Sequence, residues 1–452
     1  MRYSIILIAI LLLSSCDNIK INNDVIYKPI NNAPPNQLRL LGHWLDEGKK
    51  EQLFHETINE FEFTHQDIKI TLDYLEKMSQ QKLISDNYSS FNAQQIISEN
   101  PDFDILKVNN DFSSISKFLP EKDYIRKYLV DFSEIEEFRN NTRPELLTDK
   151  VKAQYGGIIP GPFIDGYNWP LWCNNDLAAK IGVKVKQFDM SFEDFLTYIA
   201  AVNDYNKQHN DSIVPLFEAS TFPTAHTIAE MLFFSEVANY DEIMDVNYST
   251  KKINAWSKVA KDLERLGKYK PLPNNWRKLV WADHLNSPIE DKCLFYINGS
   301  WMYNIWLKKD SSQIKKMMPC ELPVYKTAPL CFGGYNMTWV VPKKAKNRDN
   351  AVKFLLYMNS LDFVEKWTRY TKSPSGVKGK LTSLNFGTDK FENFQVMTDN
   401  KYQGKKIDLL WGSAFCFGNI NSNVDNLSVE IISGEMTAEK AISSIKSKLK
   451  TH

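Results

Sequence analysis

Residues 38–72, LRLLGHWLDEGKKEQLFHETINEFEFTHQDIKITL, carry the pattern that decides the fold. Leu38-Arg39-Leu40-Leu41 reads as a buried strand and Gly42-His43-Trp44 as a loop. Glu51 to Phe63, with Leu53, Phe54, Ile58 and Phe61 on one side, reads as an amphipathic helix. Ile68-Lys69-Ile70-Thr71-Leu72 alternates as a second strand, and Pro101 to Leu106 gives a third after another helical stretch. The order strand, helix, strand, helix, strand implies a parallel sheet with helices on both faces. Ligands of such sheets sit beyond the carboxyl ends of the strands, which puts Gly42-His43-Trp44 and Asn109-Asn110-Asp111 on one rim. A second alternating region follows. Ser191 to Val202 and Ala225 to Val237 are helical by spacing, Ser212 to Phe217 and Cys293 to Ile297 read as strands, and a second α/β lobe is expected.

The 452 residues, 43% hydrophobic and 13% aromatic, suffice for two cores, and 18 Gly with 19 Pro are too few for a disordered chain. Lys plus Arg and Asp plus Glu both number 55, so no net field draws the chain to nucleic acid; a neutral or weakly charged small ligand is the better partner. At the start, Arg2, the apolar run Ile5 to Leu13 and the ending Leu13-Ser14-Ser15-Cys16 read as an export signal too short to span a bilayer. That ending resembles the bacterial lipobox, which implies removal of residues 1–15 and a lipid on Cys16. Asp17 to Asn36, polar and carrying Pro34-Pro35, suits a flexible tether. The other five cysteines show neither zinc spacing nor disulfide density, a Cys320 to Cys331 bridge stays open, and the seven His form no metal or triad pattern.

Three segments resemble the sugar-type extracellular solute-binding proteins of ABC importers, the family of the maltodextrin-binding protein. Gly156 to Pro160, Leu171-Trp172-Cys173-Asn174-Asn175-Asp176-Leu177 and Ile181-Gly182-Val183 are similar to its crossing strand, its "YNKDL" turn and the next helix, with Cys173 in place of the usual tyrosine. Ser191-Phe192-Glu193-Asp194-Phe195 continues as a capped helix start. Cys293 to Ile297 followed by Asn298-Gly299-Ser300-Trp301 is similar to "AMxINGxW", a strand and tight turn presenting a tryptophan to the cleft. Gly333-Gly334 to Val341-Pro342 with Asn347 to Leu355 is similar to the second crossing and its helix, and Val429 to Ala441 to the closing helix pair, with Gly434 at a helix end and Thr437 as an N-cap.

The resemblance implies a type II periplasmic-binding-protein-like fold. Its lobes would comprise residues 37–165 with 338–390 and residues 166–337 with 391–452, joined near Ile164 to Pro170, Gly334 to Thr338 and Phe391 to Tyr402. It implies a monomer without cofactor or catalytic residues that closes on a mono- or oligosaccharide and delivers it to ABC importer permease subunits. Aromatic rings stack on sugar faces and polar groups meet the hydroxyls, so the implied ligand-binding residues are Trp301, Trp44, His43, Asp46, Asn109, Asn110, Asp111, Tyr167, Trp169, Tyr335 and Trp411. Asp165 and Asn168 are further polar candidates, whereas Trp256, Trp306 and Trp367 sit in helical patterns and are expected in the core. A lipid-anchored glycosidase, a glycan-capture lipoprotein and a ligand sensor for a membrane kinase remain as alternatives, though nothing local pairs two carboxylates for glycoside cleavage.

Overall fold

The computed structural model describes residues 36–245, 247, 249–378, 390–402, 404–407 and 421–450. Strand Gln37–Leu41 pairs in parallel with Lys69–Asp73, joined by helix Lys49–Thr64, which buries Leu53, Phe54, Ile58 and Phe61. Leu40 bridges in parallel to Ile105, which brings in the third strand. That strand is shorter than its sequence suggests, only Leu106–Lys107, because the preceding residues are held otherwise. The Asp104 carboxylate accepts from the Arg39 and Asn347 backbone N–H groups at 3.0 and 2.8 Å. The expected all-parallel sheet is in fact mixed, since Trp339–Val340 runs antiparallel beside Leu106–Lys107. That strand enters from the crossing between lobes and not through a helical crossover, so the rule that makes such neighbours parallel does not apply to it.

The second sheet has the order Val214–Phe217, Cys293–Ile297, Leu171–Asn174, Met317–Cys320. Its first pair is parallel, while Leu171–Asn174, arriving from the crossing, is antiparallel to both neighbours. Helix Phe192–His209 starts in a capping box in which Ser191 Oγ accepts from Asp194 N at 3.1 Å and the Asp194 carboxylate accepts from Ser191 N at 3.0 Å. The last helix, Ala438–Lys450, follows Gly434, whose φ of 80° ends the previous one, and Thr437 accepts from Lys440 N.

Buried apolar side chains form two large clusters of different provenance. One gathers Leu38 to Ile164 with Met337 to Val377, and the other Tyr167 to Phe332 with Val424 to Leu449. The molecule is a two-lobed α/β fold. Two strands run side by side between the clusters, Asp165–Asn168 and Cys331–Asn336, antiparallel with Tyr167 opposite Gly334. Gly166 is tightly enclosed there, since a Cβ would stand 2.8 Å from the Pro374 carbonyl oxygen and 2.9 Å from that of Gly334. The third connection expected at Phe391 to Tyr402 coincides largely with helix Lys390–Lys401, in which Phe391, Phe394 and Val396 are buried, Phe391 stacking on Trp172 at 5.6 Å. Trp256, Trp306 and Trp367 are core residues, and Cys173, Cys293, Cys320 and Cys331 are buried unpaired thiols, burial raising that of Cys173 to about 12. Among the described residues no helix is long and apolar enough to cross a membrane.

Candidate functional site

The loops after Leu41 and after Lys107 leave the first sheet at the same end. They hold four non-glycine residues in the left-handed region: Trp44 (φ 66°), Asp46 (64°), Asn109 (47°) and Asn110 (62°). Asparagine tolerates this conformation, but tryptophan rarely does, and such strain collects where a loop is shaped for a purpose. Asn110 stitches this loop to the crossing, accepting from Met337 N at 2.8 Å and donating to Asn336 Oδ1 at 3.3 Å, and Asp111 accepts from Ser89 Oγ at 2.8 Å. Three polar atoms of these loops are left buried without a partner, Asn109 Oδ1, His43 Nδ1 and Trp44 Nε1. Burial, reinforced by Lys107 and Lys50, keeps the His43 imidazole well below its usual range and therefore neutral.

The crossing lies beside these loops. Lys50, in the first turn of its helix, reaches Asp165 Oδ2 at 2.7 Å, and the side chains are only 3% and 7% exposed. Asp165 Oδ1 is buried with no partner. Burial raises the nearby Glu47 carboxyl above its usual range, against the pull of Lys50. Asp46 is exposed; its carbonyl accepts from Lys308 Nζ of the other lobe at 2.8 Å, and its N–H donates to Glu51 at 2.9 Å.

The second lobe offers rings. Ser300 N donates to the Asn168 carbonyl at 2.8 Å, and Asn168 N donates to Ser300 Oγ at 3.1 Å, which pins the turn carrying Trp301 against the crossing strand. The partly exposed Trp301 ring lies 5.4 Å from both Tyr167 and Trp169, which are buried. Trp169 meets Phe222 at 6.0 Å and Phe222 meets Trp281 at 5.5 Å, so the aromatic series continues to a ring that is 38% exposed. Phe222 and Trp281 escaped the sequence reading. Their only signal was placement, Phe222 in the connection after strand Val214–Phe217 and Trp281 at the start of the short helix Trp281–Asn286.

Two expected ligand residues are otherwise engaged. Trp44 is 1% exposed and packs at 5.1 Å on Trp339, 5.6 Å on Phe54 and 4.4 Å from Trp367, because those rings offer it complete burial in the first lobe's core. Tyr335 belongs to an ionic knot, where its hydroxyl donates to Asp399 Oδ1 at 3.0 Å beneath Arg143 and Lys406. Asp399 binds Arg143 at 2.7 Å and Lys406 at 2.9 Å. Burial pushes its carboxyl up, but Lys406 and Arg143 outweigh that and hold it at about 2. Trp411 and Cys16 lie outside the described residues. Away from this junction, His226, Glu230 and Asp425 come together on two helices, a metal-ligand grouping that sequence spacing did not suggest because Asp425 is remote in the chain.

Unpartnered polar atoms of the first lobe's loops and a series of aromatic rings in the second lobe thus both adjoin the crossing strands. Solved structures share the fold at low identity. The GacH receptor of Streptomyces glaucescens, solved unliganded and with acarbose, aligns with a TM-score of 0.62 at 14% identity, covering 92% of this chain and 97% of its own. RafE of Streptococcus pneumoniae in its apo form gives 0.61 at 12%, covering 92% and 98%. The binding protein msme of Bacillus subtilis, in an open conformation, gives 0.59 at 12%, covering 92% and 97%. No curated protein sequence matches this one. The family model for bacterial extracellular solute-binding proteins matches residues 56–386, well over half of the chain, and the protein belongs to that family.

Proposed function

We propose that this protein captures a mono- or oligosaccharide between its lobes and delivers it to an ABC importer. The observation that carries this reading is the pairing, across one junction, of buried unsatisfied polar atoms on His43, Asn109 and Asp165 with the rings of Tyr167, Trp169 and Trp301. Unmet buried donors and acceptors are costly, and sugar hydroxyls supply partners while their C–H faces cover rings. The neutral His43 suits an uncharged ligand. The related structures add weight, one being named for a complex with acarbose, one with raffinose and one with stachyose.

The lobes are assigned to residues 37–165 with 338–390 and residues 166–337 with 391–452, and a ligand bridging them favours the closed arrangement by its differential affinity. A lipid on Cys16 holds the monomer at the extracytoplasmic face of the membrane, and no catalytic residues are assigned. Thermal unfolding of a soluble form beginning at Gln37, screened against mono-, di- and oligosaccharides, tests the reading. One sugar class should raise the midpoint, and Trp301→Ala should abolish the rise. No shift with any sugar would overturn it, as would hydrolysis of the bound sugar.

A further inference from the structure

Helices His226–Val237 and Asn421–Ile432 lie against one another in the second lobe. His226 and Glu230 are four residues apart and share a helix face, and Asp425 stands in the first turns of the neighbouring helix. One ligand atom from each of the three lies within 4.8 Å of the other two. The centre of such a triangle is at most about 2.8 Å from each corner. Zinc bonds to nitrogen and oxygen are about 2.0 to 2.2 Å, so side-chain shifts of under about 1 Å would complete the contacts.

The surroundings favour an ion. Glu230 is fully buried, while His226 and Asp425 are partly exposed and leave a way in. The helix start is itself fixed, since the buried Glu218 carboxylate accepts from Thr224 N at 2.9 Å and Ala225 N at 2.6 Å just before His226.

We propose that His226, Glu230 and Asp425 bind one divalent transition-metal ion, with a fourth position open to water. A set of one imidazole and two carboxylates suits zinc or manganese better than calcium or magnesium, which prefer oxygen shells throughout. The site shares no residue with the junction described above, so it stands or falls independently of sugar binding.

The test uses the full chain, stripped with EDTA and exchanged into metal-free buffer, then titrated with zinc by calorimetry and by thermal unfolding. The expected result is one zinc per chain, a raised unfolding midpoint, and no response to calcium or magnesium. Losing an outer-sphere partner alone weakens a metal site 10- to 100-fold, so His226→Ala should weaken zinc binding by at least about 100-fold. Asp425→Asn should weaken it too, and its partly exposed position makes misfolding no explanation if its metal-free midpoint is unchanged. Absence of stoichiometric zinc binding by the wild-type chain, or unchanged affinity in a folded variant, would overturn the proposal.

Discussion

Substituting Lys50 by Met tests how the junction is held. The Lys50 to Asp165 contact of 2.7 Å is almost wholly buried, and Asp165 Oδ1 already lacks a partner. Lys50→Met keeps most of the stem that packs near Trp44 and Trp367, whose ring centres lie 5.9 and 5.7 Å from Nζ, but strands the carboxylate. Breaking a buried pair from one side costs about 3 to 5 kcal/mol, whereas neutralising both partners is close to neutral. Lys50→Met should therefore lose about 3 to 5 kcal/mol in urea unfolding, and most of the loss should return in the double variant Lys50→Met, Asp165→Asn. A single variant within about 1 kcal/mol of wild type, or a double variant no better than the single, would refute the reasoning.

The ionic knot makes a prediction about pH. Asp399 has a folded pKa of about 2, below its unfolded value, so its stabilisation is present above about pH 4 and is lost as the pH falls toward 2. The loss should amount to about 2 kcal/mol and be absent in Asp399→Asn, as acid titration of the unfolding free energy would reveal. Gly161→Ala would drive a Cβ to 2.0 Å from the Trp339 carbonyl oxygen, a backbone atom that cannot swing away. It should destabilise the first lobe by about 1 to 3 kcal/mol in urea unfolding, and a neutral result would contradict the packing described. Trp281→Ala removes the exposed end of the aromatic series and should cost roughly 1 kcal/mol, about fivefold in Kd, for the longest sugar bound while leaving monosaccharide affinity unchanged in calorimetry.

The amino-acid pattern was enough for the elements whose burial follows a simple period. Helix Lys49–Thr64, the capped helix at Ser191 and strand Cys293–Ile297 all rest on local spacing or on a cap that neighbouring residues satisfy. Trp301 was singled out by the resemblance of Cys293 to Trp301 to a family motif, and its ring lies beside Tyr167 and Trp169. What only tertiary structure decided was the fate of groups whose partners are distant in the chain. Trp44 reads as a loop tryptophan, yet Trp339 and Trp367, some 300 residues on, bury it. Tyr335 is drawn to Asp399, Lys390–Lys401 folds as a helix on Trp172, and Asp425 meets His226 and Glu230 across a helix pair. Periodicity records which face of an element is apolar; it carries no record of which remote side chain will fill or charge the space that face encloses.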